Sequence, residues 1–320
     1  MKVSRLGFGG LFVSKYGGAY EQARAALRRG LELGVNYVDT APGYADSEEV
    51  IGKALGDSKT PFFLSTKLGG RPQPFEPRNK DGLRQSLEES LRLLKRDCVD
   101  MLMIHEPDRP GQYDWFENWN PVSGPACEFL QEAKDKGLIR YTGLGGTTAY
   151  ELAYIIEHGN FDVVLTAFNY SLLFREAANA VVPAAKKKGM GIVSGSPLQQ
   201  GWFSKRYDNV IKNNPPPWLS PARREQFLRL YALVDELGMP IAELSLRFVL
   251  SNRDFDTVLM GARSVEEVEL NFAAAEAGPL PKDVMKKLEE IGAMVPFRPC
   301  EEPYGNALGW TGRRGPAMLR

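Results

Sequence analysis

Short apolar runs alternate with amphipathic stretches along this chain. The runs are Val35–Asp39, Pro61–Lys67, Val99–His105, Ile139–Gly143, Phe161–Phe168, Met190–Ser194 and Asp256–Met260, with Ser4–Phe8 supplying one more near the N-terminus. They are short and rich in β-branched or aromatic residues, which predicts strands. Between them, apolar residues recur at helical spacing. In Tyr20–Leu33 the apolar positions are Ala23, Ala26, Leu27 and Leu31, while Arg24, Arg28 and Glu32 fall elsewhere on the wheel. Asp81–Lys95 carries Leu83, Leu87, Leu91 and Leu94 on one stripe. Gly34, Gly137 and Gly189 each end a helical pattern ahead of a strand, as helix stops do. Asp46, Thr147 and Ser264 stand where N-caps stand.

Strand and helix in strict alternation, about eight times over, predict parallel strands joined by helical crossovers. Eight such units fit one α/β (β/α)8 TIM barrel with extended loops on its C-terminal face. A doubly wound sheet is the alternative. No composition shift marks a linker, so residues 1–320 read as one domain, with 296–320 as a C-terminal tail containing Cys300, Tyr304 and Trp310.

Three stretches break the alternation, and each follows a predicted strand. They are Arg71–Lys80, Glu106–Pro125 and Trp202–Pro221. The second carries Tyr113, Trp115, Phe116 and Trp119, and the third carries Trp202, Tyr207 and Trp218. In a barrel such loops lie at the active-site end. Their aromatics either contact a ligand or cover the barrel mouth, and Trp115, Trp119 and Trp202 are the candidate substrate contacts.

Composition narrows the function. With 40 basic and 40 acidic residues the formal charge is zero, which removes the electrostatic footprint of a nucleic-acid binder. No apolar run is long enough to span a bilayer, and the first residues lack a signal-peptide core. The expected location is therefore cytoplasmic. Two histidines and three widely spaced cysteines offer no metal cluster, and the cysteines read as two core thiols and one loop thiol.

Ionisable residues recur at the ends of successive predicted strands: Asp39, Lys67 and His105, with Tyr44 five residues beyond the first. Singly, each has an ordinary structural reading. Together, at one end of a barrel, they make a proton-transfer site. A tyrosine is a poor proton shuttle near neutrality, and a lysine ammonium beside it favours the phenolate. The aspartate can hold that lysine, and the histidine can orient a substrate oxygen. The set suits protonation of a carbonyl oxygen while hydride reaches the carbon. It lacks the GxSxG elbow of an acyl-transfer enzyme and the second carboxylate of a glycosidase.

These residues sit in motifs that resemble the aldo-keto reductase family from about Leu6 to Ala275. The motifs are Leu6-Gly7-Phe8-Gly9-Gly10, Val38-Asp39-Thr40-Ala41-Pro42-Gly43-Tyr44 with Ser47-Glu48, Lys67 after Phe62–Thr66, and Asp100–His105. The resemblance implies a catalytic tetrad of Asp39, Tyr44, Lys67 and His105, with Tyr44 as general acid/base. It also implies a nicotinamide cofactor bound without a Rossmann domain. Gly10, Asp39, Gly145, Gly146, Ser196, Leu198, Gly201, Gly261, Arg263, Ser264, Glu267 and Asn271 are the implied cofactor contacts. Strand-turn-helix joints such as Val258–Ser264 place backbone amides and Arg263 where a phosphate binds. Glu267 repels a 2′-phosphate and suits a 2′-hydroxyl, whereas Arg263 attracts the phosphate, so the cofactor is NADP(H) or NAD(H).

Three positions depart from the family pattern. Gly145-Gly146 replaces a common Ser-Asn, Ala167 stands near a common glutamine, and Gly195 stands near a common stacking tyrosine. Thr147, Thr166 or Asn169 could take over the polar contacts. The expected function is hydride transfer between the cofactor and an aldehyde, ketone or sugar, with a small-molecule carbonyl or sugar as partner and neither nucleic acid nor membrane. The competing reading is a cofactor-binding regulatory module with little turnover, and a hydrolase on the same barrel is a third.

Overall fold

A computed structural model describes residues 1–217 and 219–296. The expected tail beyond Pro296 and Trp218 lie outside the described residues. Eight parallel strands close into a barrel: β1 (Leu6–Gly9), β2 (Tyr37–Asp39), β3 (Phe63–Leu68), β4 (Val99–His105), β5 (Ile139–Gly146), β6 (Val163–Ala167), β7 (Gly191–Gly195) and β8 (Thr257–Met260). They pair in chain order. The ring closes where Leu6, Gly7 and Phe8 lie opposite Val258, Leu259 and Met260. The eight predicted strands are these eight, trimmed or extended by a few residues at their ends. The barrel replaces the doubly wound alternative because β1 pairs with both β2 and β8.

The crossover helices are α1 (Tyr20–Glu32), α2 (Ser47–Leu55), α3 (Lys80–Leu94), α4 (Pro125–Asp135), α5 (Ala149–His158), α6 (Val181–Lys188), α7 (Ile241–Ser251) and α8 (Val265–Glu276). Two longer additions, Pro221–Leu237 and Lys282–Ala293, pack against each other. Gly34, Gly137 and Gly189 all take the left-handed backbone that ends a helix, with φ of 94°, 71° and 68°. The cap assignments hold less evenly. Ser264 caps α8, accepting from the Glu267 amide at 3.3 Å. Asp46 occupies the cap position of α2 but turns its carboxylate to the Lys15 amide. The cap residue of α5 is Thr148 rather than Thr147, because Asp108 reaches across from the β4 loop and takes both of their amides.

Side chains alternate between two layers. Tyr37, Met101, Met103, Val163, Leu165, Val193 and Leu259 fill the barrel interior. A separate, larger core lies between barrel and helices. The interior positions two residues further along β2, β3 and β4 bring Asp39, Lys67 and His105 to the same end. Those further along β5, β6 and β7 bring Gly145, Ala167 and Gly195 there. Alternation thus builds a mouth with one polar wall and one wall of small residues. Cys98 and Cys127 are unpaired and half-buried rather than core thiols. Among the described residues no helix is long and apolar enough to cross a membrane.

Candidate active site

A cavity of about 330 Å³ opens at the C-terminal end of the strands. Asp39, Tyr44, Lys67 and His105 all line it. The Lys67 ammonium donates to both carboxylate oxygens of Asp39, at 2.9 and 2.7 Å, and to the Thr40 carbonyl at 2.7 Å. Lys67 and Asp39 are almost wholly buried. Burial of an ion pair is tolerable here because each partner is bonded on several sides. Asp39 also accepts from the Ser65 hydroxyl, and Tyr37 donates to Ser65 at 3.0 Å. The pair is therefore held from below by two further hydroxyls.

Above the pair, Lys67 Nζ lies 4.9 Å from the centre of the Tyr44 ring. The His105 ring meets Tyr44 edge-on, 5.7 Å between centres. Burial pushes the Tyr44 phenol above its ordinary value, and the Lys67 charge pulls only part of the way back. The sequence led us to expect a lowered pKa. The correction follows from enclosure, since a phenolate in a closed cavity loses its hydration. Burial weakens the Lys67 ammonium, but the charges of Asp39 and Tyr44 outweigh this and raise its pKa. Burial together with Lys67 and Arg109 lowers His105 to about 3, so it is a neutral imidazole near pH 7. The resting site thus holds a phenol, an ammonium and a neutral histidine, of which the phenol and the histidine are hydrogen-bond donors for a ligand, since the ammonium donates to Asp39 and Thr40.

The opposite wall is made of absences. A Cβ on Gly145 would stand 3.3 Å from Lys67 Cε, and one on Gly146 would stand 2.8 Å from Asp108 Oδ1. Asp108 occupies the space an asparagine side chain at 146 would need. On Gly195 a Cβ would press on Ala167 and Leu165 at 3.2 Å. Of the three substitutes considered, Thr147 lines the cavity, and its buried hydroxyl has no protein partner. Thr166 and Asn169 bond each other instead and stay outside the lining.

The lining continues from this wall through Ser196, Leu198 and Gly201 to Gly261, Arg263, Glu267 and Asn271, and Gly10 closes it beside Asp39. An elongated groove with a small-residue floor, an orphaned hydroxyl and a guanidinium at the far end fits a dinucleotide. Ser264 is the one proposed cofactor residue outside the lining, and its hydroxyl builds the helix end. Arg263 rests on the Phe12 ring at 4.8 Å, and Glu267 accepts from the Arg263 amide at 2.8 Å.

The loop tryptophans pack within the protein. Trp115 is fully buried beside Phe75 and Tyr113, with ring centres 5.4 and 5.9 Å away. Trp202 packs on Phe227 at 5.3 Å, and Trp119 meets Phe116 edge-on in a small hairpin, Asn118–Trp119 with Val122–Ser123. None of the three tryptophans lines the cavity. The loops carry enough apolar surface to build their own packed lid, and composition alone does not tell that surface from a ligand platform.

One residue was missed. Glu106, directly after His105, lines the cavity with only 4% of its surface exposed. Its φ is +50°. Phe168 and Ser196 also line the cavity, and they directly follow the ends of β6 and β7 with φ of 68° and 56°. Gln200, with φ of 48°, lines it as well. Left-handed backbone costs non-glycine residues about 1–2 kcal/mol each, so four at one cavity mark a built feature. The signal in the sequence was only the acid's place at a strand end.

A family model described as the aldo/keto reductase family matches residues 5–293. The chain belongs to the aldo/keto reductase family. It is 29% identical to L-galactose dehydrogenase of Arabidopsis thaliana, with 95% of each chain covered. Pyridoxal 4-dehydrogenase of Microbacterium luteolum is 27% identical over 82% of this chain and 87% of its own. Among solved structures, the holo form of an aldo-keto reductase from Bacillus halodurans is similar, with a TM-score of 0.70 and 26% identity. That likeness covers 90% of this chain and 92% of the other. As an aldo/keto reductase, this protein is a nicotinamide-dependent oxidoreductase using NAD(H) or NADP(H).

Proposed function

We propose that this aldo/keto reductase interconverts a neutral, hydroxyl-bearing carbonyl compound, such as a free sugar, and its redox partner. Tyr44 acts as the proton donor and acceptor. The observation that carries this reading is the Lys67 ammonium, clamped by Asp39 and held under the Tyr44 ring. The nicotinamide supplies hydride in reduction and takes it up in oxidation. Tyr44 gives its phenolic proton to the carbonyl oxygen, and Lys67 stabilises the phenolate left behind. Asp39 positions Lys67, and neutral His105 holds the same oxygen from the other side. Gly145, Gly146 and Thr147 would receive the nicotinamide end. Ser196, Leu198 and Gly201 would hold the pyrophosphate, and Gly261, Arg263, Glu267 and Asn271 the adenosine end.

The hydroxyl-bearing substrate is supported by L-galactose and pyridoxal as the named substrates of two relatives. Assembly of the whole tetrad disfavours the regulatory-module reading. The unpaired thiols of Cys98 and Cys127 accord with a reducing cytosol. The test is a panel of L-galactose, other free sugars, pyridoxal and simple aldehydes, followed with NADH, NADPH and their oxidised forms. Turnover of hydroxylated members with either nucleotide is expected. Turnover confined to unhydroxylated aldehydes would overturn the substrate class.

A further inference from the structure

The tetrad presents donors. Tyr44 has its O–H and neutral His105 one N–H, which the two lone pairs of a carbonyl oxygen can satisfy, while the Lys67 hydrogens go to Asp39 and Thr40. A hydroxyl on the neighbouring carbon of a substrate is itself a donor and needs an acceptor. Among the described cavity-lining residues, Glu106 is the carboxyl that belongs neither to the tetrad nor to the α8 end of the groove. It adjoins His105, its charge is felt at Tyr44, and its left-handed backbone is pinned by its amide donating to the Gly145 carbonyl at 2.6 Å. The loop thus bears strain at the residue that directly follows a tetrad member and lines the same space.

We propose that Glu106 reads the substrate by accepting a hydrogen bond from a hydroxyl next to the reacting carbonyl, which selects neutral hydroxy-carbonyls over unhydroxylated aldehydes and over 2-oxo acids. The inference rests on the reductase reading above and names the group that sets its specificity. A substrate carboxylate placed there would meet the Glu106 carboxyl and be repelled. Gln112 already donates to this carboxyl, and a carboxylate has further acceptor sites. A substrate hydroxyl would take one of these, and a substrate lacking the hydroxyl would forgo that charge-assisted bond.

Titration supports the geometry. Burial pushes the Glu106 carboxyl up to about 7, with Arg109 pulling it down and Asp108 pushing it up. Three tetrad groups that share its cavity hold one state between pH 6 and 8. Tyr44 is raised and keeps its proton, Lys67 is raised and keeps its charge, and His105 at about 3 is neutral. Glu106 is protonated below about 7 and ionised above. The ionised form is the stronger acceptor, so the KM for a hydroxylated substrate should fall as pH rises from 6 to 8.

Glyceraldehyde and propionaldehyde share a three-carbon chain and differ in their hydroxyls. The experiment compares kcat/KM for this pair in wild type, Glu106→Met and Glu106→Gln, with each nucleotide, after thermal unfolding shows that the variants fold. The wild-type preference for glyceraldehyde should drop at least tenfold in Glu106→Met, mainly through KM. Should that variant not fold, Glu106→Gln decides alone: its preference should drop threefold or more, and the fall in KM between pH 6 and 8 should disappear. A preference within threefold of wild type in the folded Met variant, with both substrates losing rate together, would make Glu106 a scaffold residue and overturn the proposal. So would a pH step that survives in Glu106→Gln. If the wild type reduces propionaldehyde as well as glyceraldehyde, this proposal fails and the reductase reading stands. If it turns over neither, both fail.

Discussion

The two walls of the cavity are built on opposite principles. On the β2–β3 side, the polar groups are held by one another: Lys67 by three oxygens, Asp39 by Lys67 and Ser65, Ser65 by Tyr37. On the β5–β7 side, the residues are Gly145, Gly146, Ala167 and Gly195, and the buried hydroxyl of Thr147 waits without a partner. One wall is prearranged charge and the other is shaped space. Proton transfer gains from fixed dipoles that need no reorganisation, whereas a flat ring gains from a surface it can lie against. The walls should therefore answer differently to mutation.

The largest effect belongs to the charged wall. Tyr44→Phe removes the proton at the centre of the network and should lower kcat by roughly 10²–10⁴-fold, with nucleotide affinity changed only a few-fold. Steady-state kinetics and a fluorescence titration of bound NADH or NADPH measure the two. Wild-type turnover in that variant would remove Tyr44 from its role.

Next comes the ion pair. Lys67→Met leaves Asp39 buried without its counter-charge and should cost about 3–5 kcal/mol of stability, seen as a lower denaturant midpoint. Adding Asp39→Asn should recover part of that loss, because the stranded charge is then gone. If the double variant is as unstable as the single one, packing rather than charge holds that wall.

The small-residue wall should respond to added bulk. Gly146→Ala puts a methyl 2.8 Å from Asp108 Oδ1 and 2.9 Å from Leu152 Cδ1, and should destabilise by about 1–3 kcal/mol. Gly145→Ala comes no closer than 3.3 Å to its neighbours, the nearest being Lys67 Cε, and should cost less. The two melting temperatures rank the sites, and the reverse order would show that the floor at 146 gives way more easily than its contacts suggest.

The smallest effect lies farthest from the chemistry. Glu267→Gln removes a negative charge beside Arg263 and should shift the NADPH/NADH preference toward NADPH by a few-fold, about 0.2–1 kcal/mol at an exposed site. A shift toward NADH would mean that the carboxylate acts mainly by holding the Arg263 amide in place.

The charged wall was legible in the sequence because its signals are local. Asp39, Lys67 and His105 close apolar runs of period two, so strand prediction carried all three to the same end. The small wall was legible only as departures from a pattern. Why Gly146 is a glycine depends on Asp108, which lies 38 positions away in sequence. Trp115 and Trp202 looked like ligand contacts because loop aromatics suit both a ligand and a lid. Phe75 and Phe227, on which they pack, come from other segments. The sign of the Tyr44 shift was missed for a similar reason: a neighbouring cation is visible in a motif, but the depth of burial is not. Glu106 sat in plain view as one acid among several in an irregular stretch.

Barrel closure has a consequence for how the protein is made. Asp39, Tyr44, Lys67 and His105 all lie in the first third of the chain, yet the seam joins β1 to β8, whose last residue is Met260. Arg5 reinforces the seam by donating to the carbonyls of Leu250, Asn252 and Phe255. A nascent chain on the ribosome therefore carries these four residues long before it can enclose them. Until β8 emerges, the growing sheet presents two open edges to its surroundings. A product truncated anywhere between Glu106 and Thr257 would contain the complete tetrad and have no closed barrel to hold it.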